Sequence, residues 1–477
     1  MVFLVQRFFN KEDGGHFTQY LTVFTATITL FTAGIYQGWG GPSLMKILSD
    51  DFPIEVTEEE ASYMMIIGPL GHVAGGFLAS HLADFIGRKY TVLAIGLPQL
   101  LSFIVIYVSY YNIGLLYVAR ILGGLGEGAS LALLPCYIAE VAEPSVRGSL
   151  GSFPNLLLLF GQLFINLVGS YLSIHVTALI CLAFPIIFWI TFVHMPESPY
   201  YCFMKEDEEG ARKSLQTLRR KLDVDKELKQ LALDVNRQMS EKGSYGDLFR
   251  IYANKKAFFL VSVTRIIQVF TGSIALMSYQ QVMLSQATDL SPILASVVLI
   301  TSGIVMVIVA SFYIDKAGRK LSLFYSSTFT CLALLSQGIF LTVRDYTHLD
   351  ISKVSWLPLP IMLLYNIAFR GGLGVVTNIF TSEIYSASIK AKAMSLGGLI
   401  NAISMIISTK LYQIAADYVG LAVPFYIFAF TTFLGTLFFY FVLPETKGKS
   451  LERIQQELKC KQAVTAAESR INFLEET

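Results

Sequence analysis

Charge is what this sequence has least of. Asp, Glu, Lys and Arg together make up 15% of its 477 residues, against about 25% in a soluble domain. With 54% hydrophobic residues and a mean hydropathy of +0.56, that deficit excludes an ordinary water-soluble chain and leaves lipid as the main solvent. The net charge of +1 gives no footprint for nucleic acid. Cysteine is scarce too. The five present (Cys136, Cys181, Cys202, Cys331 and Cys460) fall in apolar runs or in segments placed below in the cytoplasm. No Cys-x-x-Cys or Cys/His spacing occurs, so free thiols are expected and a disulfide frame or metal site is not. No Asn-x-Ser/Thr sequon occurs either, which removes N-glycosylation. The first apolar run follows Lys11, Glu12 and Asp13 and is too long for the core of a cleavable signal. Nothing matches a nucleotide-binding loop, a catalytic triad or a metal site, so enzyme chemistry is not expected and no cofactor is called for.

In place of charge, the chain has long apolar runs. Crossing the hydrocarbon core takes about 20 apolar residues. Twelve stretches qualify, near 18–42, 60–82, 90–109, 113–137, 148–171 and 174–194, then 256–280, 291–313, 321–343, 356–382, 390–414 and 420–443. The expected fold is an all-α membrane protein, with twelve transmembrane helices in two pseudo-symmetric six-helix bundles. The expected division is a cytoplasmic N-terminus (1–17), a first bundle (18–194), a cytoplasmic linker (195–255), a second bundle (256–443) and a cytoplasmic tail (444–477). In the linker, leucines 215, 218, 222, 228 and 231 recur at three- and four-residue steps, which predicts short amphipathic helices on the membrane surface. Leu451–Leu458 predicts one more in the tail.

Two halves carry the same signals in the same order. Asp84-Phe85-Ile86-Gly87-Arg88-Lys89 returns as Asp315-Lys316-Ala317-Gly318-Arg319-Lys320. Glu140 lies seven residues before Arg147, and Glu383 seven before Lys390. Such duplication predicts one bundle built twice, with a path between the halves. The basic residues collect on one side, while the loop Asp50–Glu60 on the other is acidic. By the positive-inside rule the termini and the linker are cytoplasmic, and a plasma-membrane location is expected.

These motifs resemble those of a sugar porter of the major facilitator superfamily, most similar to the insect facilitated trehalose transporter-like branch. The resemblance runs over about residues 18–458. It rests on the two Asp-x-x-Gly-Arg-Lys loops, Arg120 with Gly124 and Gly128, Pro135-x-Tyr137-x-x-Glu140 followed by Arg147-Gly148, Pro196-Glu197-Ser198-Pro199, Pro444-Glu445-Thr446-Lys447-Gly448, and Gly38-Trp39-Gly40-Gly41-Pro42. The chain departs from the pattern in places. The Gly that precedes each Asp by four is Ser80 or Ser311, and the Arg after Pro199 is Tyr200. The resemblance implies alternating-access facilitated diffusion of a sugar, a hexose or a trehalose-like disaccharide, with the lipid bilayer and the small solute as partners. Neither nucleic acid nor an obligate protein partner is implied. It also implies a cytoplasmic latch of Asp84, Arg88, Glu140 and Arg147, mirrored by Asp315, Arg319, Glu383 and Lys390. Half-exposed ion pairs at those helix ends would each contribute about 1 kcal/mol.

The implied substrate site is where this sequence departs most. The family's Gln-Gln-x-Ser/Thr-Gly-x-Asn in span seven reads Gln268-Val269-Phe270-Thr271-Gly272-Ser273-Ile274, and its Gly-x-Gly-Pro-x-Pro-Trp in span ten reads Gly372-Leu373-Gly374-Val375-Val376-Thr377-Asn378. The Asn-Trp of span eleven is Asn401-Ala402, and a Gln of span five aligns with Asn155. Asn155, Gln268, Thr271, Asn378 and Asn401 therefore stand as substrate-binding candidates, without the usual indole platforms. Glycines 371, 372 and 374 would supply the break that span-ten prolines make elsewhere. Arg370 joins the candidates because it stands where many sugar porters carry Glu, and a charge at mid-membrane costs about 2.5–3.5 kcal/mol. Arg265 is a further ionisable group inside span seven. His72 and Glu127 are candidates for proton coupling. Span one has no Asp or Glu, and proton-coupled sugar porters usually carry a carboxylate there, so the absence favours facilitated diffusion. The alternatives are a proton-coupled symporter of a non-sugar organic solute and a non-transporting sugar sensor.

Overall fold

The computed structural model describes residues 15–449 apart from 50–51, 110–111, 144, 241–243, 288–290, 348–353, 386 and 448. The side chains at 147–149, 152, 234, 237–240, 286–287, 311, 315–316, 382, 387–388 and 391 are also outside the description. Arg147, Asp315, the predicted tail helix and Cys460 thus lie outside the described residues or side chains.

Twenty helices occur among the described residues, in two compact units. Unit 1 holds the residues up to Met239 together with Ala275–Ile304. Its helices are α1 (Phe17–Gly38), α2 (Gly40–Ile47), α3 (Glu58–Ile86), α4 (Arg88–Val108), α5 (Ile113–Val141), α6 (Arg147–Tyr171), α7 (Ile174–Phe192), α8 (Pro199–Met204), α9 (Glu208–Arg219), α10 (Asp225–Ser240), α13 (Ser273–Ser278) and α14 (Gln280–Ala287). Unit 2 holds Ser240–Ile274 and the chain from Val305. Its helices are α11 (Tyr245–Arg250), α12 (Tyr252–Val269), α16 (Arg319–Tyr346), α17 (Pro358–Gly371), α18 (Leu373–Ile384), α19 (Ala387–Tyr418) and α20 (Val423–Phe441). The boundaries between the units fall near the end of α10, within α13 and within α15 (Pro292–Ala317).

Eleven helical stretches are long and apolar enough to cross a membrane. The first span is not among them, because α1 is rich in threonine. Four of those hydroxyls do not need water. Thr25 and Thr27 each donate to carbonyls one turn back, at 2.9–3.1 Å, and Thr29 and Thr32 do the same at 2.8 and 3.0 Å. A hydroxyl satisfied by its own helix can be buried at little cost, so hydropathy underrates this span. The helix is interrupted at Trp39. Pro42 has no N–H to offer the Gly38 carbonyl, and α2 begins afresh at Gly40.

The start of α3 is fixed by its own sequence. Thr57 and Glu60 form a reciprocal capping box, with Thr57 N to Glu60 Oε2 at 2.9 Å and Glu60 N to Thr57 Oγ1 at 3.2 Å. Glu58, Glu59 and Glu60 also complement the dipole of that first turn. Further along, α3 and α5 meet backbone to backbone. A Cβ on Gly128 would lie 1.8 Å from the His72 carbonyl oxygen, so only glycine permits this approach. The core of unit 1 is closed by Phe188, Phe192 and Tyr137, which are fully buried. In unit 2 the equivalent packing is built around Phe380, Phe439 and Leu373.

Candidate functional site

The duplicated Asp-x-x-Gly-Arg-Lys loops build the same junction in each unit. In unit 1, Gly87 turns the chain with φ 105° between α3 and α4. The three residues that follow start a helix whose first N–H groups have no partner of their own. Glu197, from the loop after α7, supplies it. Its carboxylate accepts from Lys89 N at 2.9 and 3.1 Å and from Ser198 N at 2.7 Å. Ser198 in turn donates from its hydroxyl to Glu140 Oε2 at the end of α5. Glu140 lies 3.2 Å from Arg88 Nε, and Arg88 also bonds the Ala83 carbonyl at 2.9 Å and meets Asp84 at 3.1 Å.

Unit 2 repeats the arrangement. Gly318 turns with φ 87° before α16. Glu445 accepts from Arg319 N, Lys320 N and Lys447 N at 2.9, 3.0 and 2.9 Å. Thr446 donates to Glu383 Oε2 at 2.6 Å, and Glu383 Oε1 lies 2.8 Å from Arg319 Nη2. A Cβ on either turn glycine would meet the capping carboxylate, at 2.4 Å from Glu197 Oε2 and 2.8 Å from Glu445 Oε2. Glycine is thus required twice over, for its φ and for the space.

Two features of these junctions differ from the sequence reading. The ion pairs are not all half-exposed: the Arg88 and Glu140 side chains are 7% and 11% exposed, so this pair belongs with buried ones. The two capping glutamates also differ. Burial raises the Glu197 carboxyl above the usual range against its N–H donors and Arg88. Burial pushes Glu445 up as well, but the N–H groups of Lys447, Arg319, Lys320 and Thr446 outweigh it and hold that carboxyl below its usual range. Lys390 is partly buried and engaged. Neither Glu197 nor Glu445 was singled out from sequence, although the doubled Pro-Glu-Ser/Thr was the available signal.

The remaining candidates lie in separate places within their units. Gln268 bridges two elements: its amide donates to the Leu373 carbonyl at 2.8 Å, and its carbonyl accepts from Arg265 Nη1 at 3.2 Å. Thr271 is fully buried, with its hydroxyl on the Gln268 carbonyl at 2.7 Å and its own carbonyl accepting from Tyr365 at 3.2 Å. Its role is to shape the end of α12. Span ten is broken at Gly372, where the Ser326 hydroxyl accepts from Leu373 N at 2.9 Å and donates to the Ala368 carbonyl at 2.7 Å. Asn378 is exposed and donates to Gly374 O at 3.3 Å. Asn401 is half-buried, and its amide donates to Met405 Sδ at 3.9 Å. Asn155 is exposed on α6.

In unit 1, Glu127 is 7% exposed and lies 3.7 Å from His72 Nδ1. One turn and more away, Arg120 sits with its guanidinium 4.0 Å from the centre of the Tyr36 ring and 5.5 Å from that of Trp39. It donates to Tyr36 O at 3.0 Å and Met64 O at 3.3 Å. An aromatic face and two carbonyls therefore hold a buried cation of span four against span one, where no carboxylate is available. A chain of amides lies nearby: Gln162 donates to Gln37 at 2.6 Å, and Gln281 to Asn166 at 3.2 Å and Ser170 at 3.0 Å. Neither cluster was marked as a site from sequence, because its partners lie up to 125 residues apart.

The model of the family described as sugar (and other) transporter matches residues 20–458. A facilitated trehalose transporter of Bombyx mori is 29% identical over 446 residues, covering 92% of this chain and 87% of that protein. The trehalose transporter 1 of Drosophila melanogaster is 29% identical over 447 residues and 92% of this chain, but the match spans only 52% of its length. The chain thus spans about half the length of several curated relatives. Among solved structures, the inward-open xylose transporter XylE from E. coli superposes with a TM-score of 0.76 at 19% identity, covering 92% of this chain and 99% of that one. That likeness shows the fold, the twelve-helix major facilitator bundle. Family model and fold agree that this is a multi-pass membrane transporter and not an enzyme, and that the chain belongs to the sugar (and other) transporter family.

Proposed function

We propose that this protein carries a sugar, a hexose or a disaccharide of the trehalose kind, down its gradient by alternating access. The observation that carries the reading is the doubled junction. Each unit locks its own helix ends with the same Gly turn, capping Glu, hydroxyl and Arg–Glu pair, which suits two bodies that must keep their shape while moving past each other. The residues proposed to meet substrate are Gln268, Arg370, Asn378 and Asn401 in unit 2 and Asn155 in unit 1, with Thr271 shaping the wall. The junction residues Asp84, Arg88, Glu140 and Arg147, and Asp315, Arg319, Glu383 and Lys390, are proposed as the cytoplasmic latch. The positive-inside distribution supports a cytoplasmic side for both termini and the segment 195–255, and the proposed location is the plasma membrane.

Facilitated movement is supported by the Tyr36–Trp39–Arg120 arrangement, since the cation is satisfied without a titrating carboxylate on span one. The test is uptake of labelled glucose and trehalose into proteoliposomes, with and without an imposed pH gradient. Saturable uptake indifferent to the gradient is expected. Uptake that collapses without the gradient would overturn facilitated diffusion and assign His72 and Glu127 to proton coupling.

A further inference from the structure

The two units treat their intramembrane charges differently. In unit 1 the mid-span cation Arg120 shares its helix with a carboxylate, Glu127, and is itself held by two carbonyls and two rings. Unit 2 places two arginines near the middle of spans, Arg265 in Tyr252–Ser278 and Arg370 in Pro358–Thr381. Among the described residues, neither has a carboxylate partner. Among the described residues, Arg265 has one side-chain hydrogen bond, to the side-chain Oε1 of Gln268 at 3.2 Å. The ionisable neighbours near enough to interact with them are tyrosines, Tyr385 for Arg265 and Tyr365 for Arg370. The Arg370 Nε is closed off from solvent with no hydrogen-bond partner among the described residues, and the Tyr385 hydroxyl is in the same position.

One seam runs between these helices. Gln268 joins α12 to the span-ten break by its bond to Leu373 O, and Tyr365 joins the end of α12 to α17 through Thr271 O. Arg265 lies three residues before Gln268 on α12, and Arg370 three before Leu373. Both side chains are half-buried, neither packed away in the core nor out in bulk water. A cation in that position is stabilised by an anion, and a guanidinium binds carboxylate or phosphate oxygens through paired N–H groups.

We propose that the sugar this carrier prefers bears an anionic group, a carboxylate or a phosphate, which Arg370 binds at the α12–α17/α18 seam. This rests on the sugar-carrier reading and narrows it to acidic sugars. Asn378 and Asn401 remain to meet hydroxyls, while Arg370 takes the place of the missing indole platforms as the main source of affinity. A cycle that carries an anion down its gradient moves net charge, whereas one that carries a neutral sugar does not.

The experiment uses the full-length protein in proteoliposomes, with labelled glucuronate, glucose 6-phosphate, glucose and trehalose as probes, at fixed ionic strength. A potassium diffusion potential, inside positive, is imposed or omitted. The expected result is that an acidic sugar enters with the lower half-saturation and faster under the potential, while glucose is unaffected by it. Glucuronate against glucose 6-phosphate decides between carboxylate and phosphate. Arg370→Gln should weaken the acidic sugar about ten- to a hundredfold, the range expected for losing a charge-assisted hydrogen bond, and the neutral ones by a smaller factor. Melting of the purified protein supplies a reading that does not require transport: the acidic sugar should raise the melting temperature of the wild type and not of Arg370→Gln. Neutral sugars carried better than acidic ones, with Arg370→Gln without effect on either, would overturn the proposal and leave the carrier reading standing. No uptake and no melting shift with any of the four would overturn both.

Discussion

At the residue scale, the two capping glutamates hold equivalent positions with opposite electrostatics. Glu445 has a depressed carboxyl, so its contribution to stability is present above the ordinary Glu value of about 4.3 and is lost as pH falls through the folded value. Glu197 has a raised carboxyl, so its ionisation costs the folded state something. That cost is relieved as pH falls through its folded value, which lies above the ordinary one. Acidification should therefore ease the first junction before it loosens the second. In melting of the purified protein across pH 4–8, Glu445→Gln is expected to fall below wild type most at neutral pH, with the gap closing in acid. Glu197→Gln should show the smaller gap at neutral pH. A Glu445→Gln gap that widened in acid would refute the assignment. Little of this could be read from the sequence, where Glu197 and Glu445 appear only as the middle letters of two closing motifs. Their N–H donors, Lys89 and Arg319, lie over 100 residues away.

At the scale of elements, each junction decides how three helix ends meet. Arg88 opens α4, Glu140 closes α5 and Ser198 precedes α8, so one buried ion pair and one hydroxyl tie them together. Removing one member of a buried pair leaves the other uncompensated, at a cost of about 3–5 kcal/mol. Arg88→Ala should thus destabilise the purified protein more than Arg319→Ala, whose partner Glu383 is 27% exposed. Equal losses in chemical or thermal unfolding would show that burial is not what sets the strength of these pairs. The elements themselves were legible in the sequence. Apolar length marked the spans, and the repeated loop marked where α3 hands over to α4 and α15 to α16. Less legible were the interruptions. The break at Gly372 depends on Ser326, a residue of another helix, and the break at Trp39 on what Pro42 withholds.

At the scale of the molecule, composition, the twelve apolar runs and the doubled motifs were enough for the fold class, because lipid admits few architectures. They were not enough for the site, whose candidates depend on which side chains their neighbours have already claimed: Thr271 is spoken for, Gln268 is shared, and Arg370 is not. Orientation has a direct test. A cysteine at Thr57, in the loop proposed to face outside, should react with an impermeant maleimide in intact cells of a strain carrying the protein, and one at Lys213, exposed on α9, only after permeabilisation. The reverse pattern would invert the topology.

The junction of α1 and α2 has an optical consequence. The chain contains three tryptophans. Trp189 donates to the Leu93 carbonyl at 2.8 Å inside the first unit, and Trp356 is 53% exposed. Trp39 is 3% exposed and stacked close to the Arg120 guanidinium at the interruption of the first span. With Trp189 and Trp356 replaced by phenylalanine, a single indole would remain, its emission set by a neighbouring positive charge and by its distance from water. The protein then contains its own lamp at that bend, and the colour and brightness of its light would follow the bend through a transport cycle with no dye attached.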